Sequence, residues 1–283
     1  NSDQYVKLSG KITNPNGNEV KIYGGNKYNK VMELNADGTF SDTLHIKKGM
    51  YYFADKRERT EIYLSPGYQL NITLDTKEFD ESIIYKGEGA KNNTFLAKIY
   101  LYYEENSIPY KEINSLSEEA FFDHIVVKEK GAVHLLNSIG IEDDNFTKYQ
   151  KRKIHYEALN SLLNYNKTAV FKVDMDNSVI SNYVLNNMKQ INLDDSISFN
   201  EFREYRFLML SYFQYGLASD NNDVIDTFHK LRSNVIKDAV FNSLLNRISV
   251  TSENSELYYK AITNVSTDTV MIRAATDMYN IIL

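Results

Sequence analysis

Histidines are the first side chains to consider for metal binding or proton transfer. A metal pair on a helix needs two histidines three or four residues apart, so that both face the same side. His124 and His134 are ten residues apart, which is about 1000° of helical rotation and puts them on different faces. The spacing therefore predicts no helical metal pair among the five histidines, which are His45, His124, His134, His155 and His229.

Carboxylates also fail to form a recognisable site. The segment 174–178 reads Asp-Met-Asp-Asn-Ser and resembles the start of a calcium-binding loop. It lacks the glycine at position six and the glutamate at position twelve that such a loop requires. Glu104-Glu105 and Asp143-Asp144 are adjacent pairs. Because neighbouring residues on a helix point in different directions, neither pair is expected to act as an acid and a base.

Nucleophile and cofactor motifs are missing as well. The chain contains no cysteine, so its own residues supply neither a thiolate nor a disulfide. Gly87-Glu88-Gly89 is far short of a dinucleotide fingerprint, which needs three glycines after a parallel strand. No phosphate-binding loop, nucleophile elbow or zinc-protease motif occurs. We therefore assign no catalytic, cofactor-binding or metal residue and expect no cofactor.

Aromatic residues leave a binding role open. The chain has 22 tyrosines and 14 phenylalanines, and aromatic side chains can form platforms for sugars or peptides. Segments 51–53 and 100–103 are the two candidates. Alternation along a strand would place Tyr51 and Phe53 on the same sheet face, so core packing explains part of the first segment without a ligand.

Charge and hydropathy argue against nucleic-acid binding and against a transmembrane segment. The net charge of −6 argues against a nucleic-acid module, because phosphate binding needs a basic surface. The basic clusters 56–59 and 151–153 are best explained as a charged turn and a solvated helix face. No apolar run reaches 18 residues, so we predict no transmembrane segment.

The first part of the chain has the alternation of β-strands. Tyr5 to Thr13 alternates polar and apolar residues, and Asp37-Gly38 lies between two strand-like runs, which favours a hairpin. Short strands separated by frequent turns predict an antiparallel β-sandwich over residues 1–87. The predicted strands are 5–13, 20–23, 31–34, 39–46, 50–54, 61–64, 68–74 and 83–85.

After the glycine-containing junction at 85–93, the period of the apolar residues changes to that of helices. The stripe Phe95, Ile99 and Tyr102 is typical of an amphipathic helix, and the segment beginning at Phe202 is the most apolar. We predict an all-helical domain over residues 88–283, as an irregular bundle or a solenoid. The fold class is therefore α+β, with Phe95 and Leu96 at the interface with the sandwich.

Four segments together resemble one family. They are Leu8-Ser9-Gly10-Lys11-Ile12, Leu34-Asn35-Ala36-Asp37-Gly38-Thr39-Phe40, Ile62-Tyr63-Leu64-Ser65-Pro66-Gly67-Tyr68 and Lys86-Gly87-Glu88-Gly89-Ala90-Lys91-Asn92-Asn93. Their order resembles the N-terminal region of bacterial TlpA/ResA-like thiol–disulfide oxidoreductases. In that family a small sandwich and a helical region precede a thioredoxin-like domain with a Cys-x-x-Cys site. The proteins are exported and often carry a lipid anchor at the mature N-terminus.

The resemblance implies a non-catalytic role for this chain. With no cysteine, it would be the N-terminal part of an exported oxidoreductase of the periplasm or cell envelope, without the thioredoxin domain. It would position that domain or bind client proteins. Two alternatives stay open: a stand-alone envelope lipoprotein that binds a glycan or peptide, and a hydrolase whose site forms only in three dimensions.

Overall fold

The computed structural model describes residues 5–24, 27–113, 115–169, 182–252 and 254–283. It confirms the predicted α+β class, with the strands first and the helices after them. The strands are β1 (Tyr5–Thr13), β2 (Glu19–Gly24), β3 (Tyr28–Glu33), β4 (Thr39–His45), β5 (Gly49–Ala54), β6 (Arg59–Leu64), β7 (Gln69–Asp75) and β8 (Ile84–Gly87).

These strands form two four-stranded sheets with orders β4-β1-β7-β8 and β3-β2-β5-β6. Five of the strand pairs are antiparallel, as predicted for the sandwich, whereas β1 and β7 pair in parallel. The alternation that predicts β1 is visible in its burial, because Val6, Leu8 and Ile12 are in the core. Gly10 shares their face, where a Cβ would collide with the Ile72 carbonyl and the Phe40 ring.

Both sides of the sandwich have covered edges. On one side β3 and β4 approach each other across the two sheets, where Lys30 and Asp42 form an ion pair of 2.8 Å. They are joined by the turn at Asp37-Gly38, whose Gly38 has a positive φ of 79°. The predicted hairpin is wrong, because β3 and β4 belong to different sheets and do not pair with each other. On the other side, helix α2 (Ala90–Glu105) packs against β6 and β8. Covering an edge in this way keeps its unpaired backbone groups from templating aggregation.

Helices make up the rest of the described chain. The short helix α1 (Phe79–Ser82) precedes β8. After α2 come α3 (Tyr110–Ile113), α4 (Glu118–Ser138), α5 (Asp144–Ala169), α6 (Asn182–Met188), α7 (Ser196–Glu201), α8 (Arg203–Ala218), α9 (Asn222–Lys230), α10 (Asn234–Leu245), α11 (Ser255–Val265) and α12 (Thr269–Ile282). In the part of the chain described here, no helix is both long and apolar enough to cross a membrane.

Helix α8 is the apolar helix that the sequence predicts at the centre of the helical part. Tyr205, Leu208 and Phe213 are fully buried, which fits that prediction. The apolar run that begins at Phe202 includes Phe207 and predicts that this residue is also in the core, but Phe207 is 48% exposed. It lies on the outer side of α8, where its ring is covered by the guanidinium of Arg203 at 5.0 Å.

Local capping signals have mixed outcomes. Ser117 precedes two acidic residues, a pattern that predicts a helix N-cap, and its hydroxyl accepts the Ala120 amide at 3.2 Å at the start of α4. Ser198 and Glu201 have the spacing of a capping box, which predicts a helix start at Ser198, and this prediction is wrong. Asp195 caps α7 instead, accepting the Ser198 amide at 2.9 Å, so Ser198 lies inside the first turn. A carboxylate one turn earlier competed successfully for the same helix start.

The chain divides into two compact units. The first contains residues 1–107 and 130–151, and the second contains 108–129 and 152–283. The predicted boundary after residue 87 stays a prediction. Within the first unit Phe95 is fully buried and Leu96 nearly so, and the Phe95 ring meets Phe146 edge-on at 6.1 Å.

Candidate functional site

Strand pairing brings two tyrosines together on the outer face of the sheet β3-β2-β5-β6. Tyr23 of β2 lies directly opposite Tyr52 of β5. Their neighbours Ile22 and Phe53 are fully buried, so alternation directs Tyr23 and Tyr52 away from the core. Tyr51 is buried with Phe53, which agrees with the core packing that alternation predicts for these two residues.

An arginine completes this surface. The Tyr23 and Tyr52 rings stack with centroids 5.4 Å apart and an interplanar angle of 27°. The Arg59 guanidinium lies 4.8 Å from the centroid of Tyr52 and donates a hydrogen bond of 3.1 Å to the Tyr23 hydroxyl. We call Tyr23, Tyr52 and Arg59 the aromatic platform. A guanidinium held by a ring and a hydroxyl is arranged to bind anions.

The turn before Arg59 fixes where its side chain starts. Asp55 Oδ1 accepts the amides of Arg57 at 2.7 Å and Glu58 at 2.8 Å. Its Oδ2 accepts the Asn16 amide group at 2.6 Å. The cluster 56–59 is thus the charged turn that the sequence predicts. The hydrogen bond with Tyr23 raises the pKa of Arg59 above its ordinary value, so the residue stays cationic.

Other charges surround the platform. Lys21 and Arg59 lie in one row of the sheet, on either side of Ala54, and Lys21 is paired with Glu19 at 2.9 Å. Glu61 lies directly opposite Tyr52 on β6. The surface therefore presents cations together with two carboxylates, of which Glu19 is paired with Lys21. Glu61 opposes an incoming anion.

A second arrangement of a tyrosine with a cation lies at the start of α5, within the same unit. Asp143 Oδ2 accepts hydrogen bonds from Lys48 Nζ and from the Tyr63 hydroxyl, each at 3.0 Å. Asp143 Oδ1 accepts the backbone amides of Asn145 and Phe146, each at 3.1 Å. We call Lys48, Tyr63 and Asp143 the Tyr63 network. It fastens the first turn of α5 to β6.

The titration of the Tyr63 network does not suit proton transfer near neutrality. Burial raises the pKa of Tyr63 to about 12. The hydrogen bond with Asp143 raises the pKa of Lys48. Burial alone would raise the pKa of Asp143, but hydrogen bonds from Lys48, the Phe146 amide and Tyr63 together lower it. An acid or base catalyst works best with a pKa near the working pH, so we interpret this network as structural.

Asn93 of α2 fastens the helix to the edge of β6. Its Oδ1 accepts the Tyr63 amide at 2.7 Å, and its Nδ2 donates to the Tyr63 carbonyl at 3.0 Å. Nδ2 also donates to the Gly89 carbonyl at 2.9 Å. The side chain is fully buried and gives Tyr63 the pair of hydrogen bonds that a neighbouring strand would give.

An acidic cluster lies near α1 and the end of α2. Burial, together with the nearby carboxylates of Glu104, Glu58 and Glu81, raises the pKa of Asp80 to about 6. Glu104 also accepts the Tyr100 hydroxyl at 2.9 Å. Among the described residues, no three His, Asp or Glu side chains are grouped so as to hold a metal ion. The predicted calcium-like segment 174–178 lies outside the described residues.

One histidine meets a carboxylate in the second unit. His155 Nδ1 lies 2.7 Å from Glu129 Oε1, and its ring is tilted against Tyr156 at 6.4 Å. A histidine oriented by a carboxylate is part of many hydrolytic sites. Such a site also needs a nucleophile or a metal-bound water, and the contacts of His155 provide neither.

The platform and the His155–Glu129 pair were not recognised as sites from the sequence. Tyr23 and Arg59 are 36 positions apart, and the Glu129 and His155 positions differ by 26. Of the three platform residues, only Tyr52 lies in a candidate aromatic segment, 51–53. The other candidate segment, 100–103, lies on α2, where Tyr100 is 46% exposed. The absence of catalytic, cofactor-binding and metal residues stays a prediction.

Comparison of the chain with family models, with curated proteins and with solved structures gives no match. The resemblance to the TlpA/ResA-like oxidoreductases therefore rests on the four segments described above and on the order of sandwich and helices.

Proposed function

We propose that this chain is a non-catalytic region of an exported thiol–disulfide oxidoreductase, in the periplasm or cell envelope. Its role is to position a thioredoxin-like domain or to bind client proteins. The observation that carries the proposal is the order of a small two-sheet sandwich followed by helices, which is the order that the family resemblance implies. The platform supports a binding role, because it presents a fixed cation.

Chemistry constrains where thiol exchange takes place. Exchange begins with attack by a thiolate on a disulfide sulfur, and these 283 residues contain no cysteine. The Cys-x-x-Cys site of the proposed enzyme must then belong to another part of the same protein. A lipid anchor on the native N-terminus is part of the proposal.

Intact mass and peptide mapping of the native protein from its source test this proposal. We expect peptides with a Cys-x-x-Cys segment in the same polypeptide and a lipid-modified N-terminal peptide. A native polypeptide without that segment would overturn the oxidoreductase assignment. Insulin reduction by the isolated chain would contradict the non-catalytic role.

A second candidate function is favoured by the aromatic platform. The chain would be a stand-alone envelope lipoprotein that captures a glycan or peptide on the outer face of the sandwich. Its test is calorimetric titration of the isolated chain with glycan and peptide libraries. Saturable binding that Tyr52→Ala abolishes would support it, and binding that Tyr52→Ala leaves unchanged would place the ligand elsewhere.

A further inference from the structure

We propose that the aromatic platform is a binding site for a carboxylate-bearing saccharide, with Arg59 contacting the carboxylate and the two tyrosines supporting the sugar ring. This inference rests on the second candidate function and names the ligand of that same surface. Three observations carry it: the stacking of Arg59, the position of the platform on the outer face of the sheet, and the covered edges of the sheet.

The stacking of Arg59 reduces the entropic cost of binding an anion. A guanidinium has five N–H donors in a rigid fork, and the described hydrogen bond to Tyr23 uses one of its nitrogens. Arg59 is exposed, yet the Tyr52 ring and the Tyr23 hydroxyl fix its plane. A donor that is already oriented loses less freedom on binding, and a planar fork matches a carboxylate with two parallel hydrogen bonds.

The shape of the surface favours a sugar over a peptide. A peptide commonly binds a sheet by adding a strand to an open edge. Here α2 covers β6, where the Asn93 amide already pairs with the backbone of Tyr63, and β3 lies against β4. The platform is instead on the outer face of the sheet. A pyranose ring suits such a face, because its C–H groups contact an aromatic surface while its carboxylate reaches a cation.

The surrounding charges make the site selective in a way that can be measured. Arg57 in the preceding turn adds to the positive potential, whereas the charge of Lys21 in the row of Arg59 is balanced by Glu19. Glu61, opposite Tyr52, repels an anion. Removing the Glu61 charge should therefore tighten the binding of an acidic sugar and leave the binding of a neutral sugar unchanged.

The experiment is calorimetric titration of the full chain with oligogalacturonate, with its neutral methyl ester, and with polyglutamate. We expect saturable binding of oligogalacturonate only, weakened by added salt. Arg59→Gln should weaken it about tenfold or more, as loss of one bidentate charged contact does, and Glu61→Gln should strengthen it. The matched control is Arg203→Gln, which removes another arginine stacked on a ring and should change nothing.

Each other outcome overturns the inference in a distinguishable way. Equal binding of acid and ester, unaffected by Arg59→Gln, would reject the carboxylate contact and leave the saccharide-binding function standing. Binding of polyglutamate alone would reject a sugar ligand. No binding of any probe by a chain whose circular dichroism shows it to be folded would reject this inference, and the library titration would then decide the second candidate function.

Discussion

Two clusters in the first unit combine a tyrosine with a cation, and they differ in what neutralises the cation. In the Tyr63 network, Lys48 and Tyr63 both end on the carboxylate of Asp143, which also caps α5. On the aromatic platform, the hydrogen-bonded partner of Arg59 is the neutral hydroxyl of Tyr23. The first cluster satisfies its charges internally and holds elements together. The second presents its charge to solvent, as a binding surface does.

The largest effect should come from Asn93, which joins α2 to the strand that carries Tyr63. Asn93→Ala removes two buried hydrogen bonds and a partly buried one, and it takes away the side-chain partners of the Tyr63 amide and carbonyl. We expect a loss of about 3 kcal/mol in the free energy of unfolding, since each buried unsatisfied group costs about 1–3 kcal/mol. Urea denaturation followed by circular dichroism measures it.

Asn92 provides the control for that change. It is also buried, but its Nδ2 has no hydrogen-bond partner. Asn92→Ala should therefore cost clearly less than Asn93→Ala. Equal losses would mean that packing, rather than the hydrogen bonds to Tyr63, fixes α2 on the sandwich.

An intermediate effect is expected for the carboxylate of the Tyr63 network. Asp143→Asn removes the charge that Lys48 and Tyr63 share, and we expect it to cost about 1–2 kcal/mol at pH 7. The folded-state pKa of Asp143 is lowered, so its contribution is present above the unfolded pKa of about 3.9 and is lost as the pH falls through the lower folded value. The difference between variant and wild type should shrink at acidic pH.

Urea denaturation at pH 7 and at pH 3 measures this shrinkage. Asp144→Asn is the matched control, because it makes the same chemical change at the adjacent, exposed residue. It should cost less at pH 7 than Asp143→Asn. A loss for Asp143→Asn that stays the same at both pH values would show that the charge of Asp143 is not what stabilises the network.

The sequence predicts several local features of the first unit but not the contacts between distant residues. The sequence predicts strand β1 and the turn at Asp37-Gly38, because alternation and turn chemistry are local properties. It wrongly predicts that β3 and β4 pair as a hairpin, because the turn does not determine which sheet each strand joins. The junction near 85–93 was predicted too, but the role of Asn93 was not, since its partner Tyr63 lies 30 positions away. Tyr63 and Asp143 are 80 positions apart. Pairs at such separations depend on how whole elements pack, which no local pattern encodes.

The sequence does not predict the platform, because the platform depends on which strands are neighbours in the sheet. Tyr23 meets Tyr52 only because β2 pairs with β5 as well as with β3. The sequence predicts the strands one by one and not their order in the sheet. The wrong capping box at Ser198 has a different cause. Asp195 and Ser198 are both suitable N-cap residues three positions apart, and the capping-box pattern favours the later one.

The smallest effect on stability is expected at the platform itself. Arg59 and the tyrosines interact on an exposed face, where ion and ring interactions are weakened by water. Arg59→Gln and Tyr52→Leu should each lower the melting temperature less than Asp143→Asn does, and a double-mutant cycle between them should give a small coupling. Thermal denaturation of the four proteins at pH 7 measures both quantities. If Arg59→Gln destabilised the chain as much as Asp143→Asn, the platform would be a second structural clamp. We expect the opposite: Arg59→Gln should change the melting temperature little and reduce ligand affinity strongly. That result would assign binding to the platform and stability to the Tyr63 network.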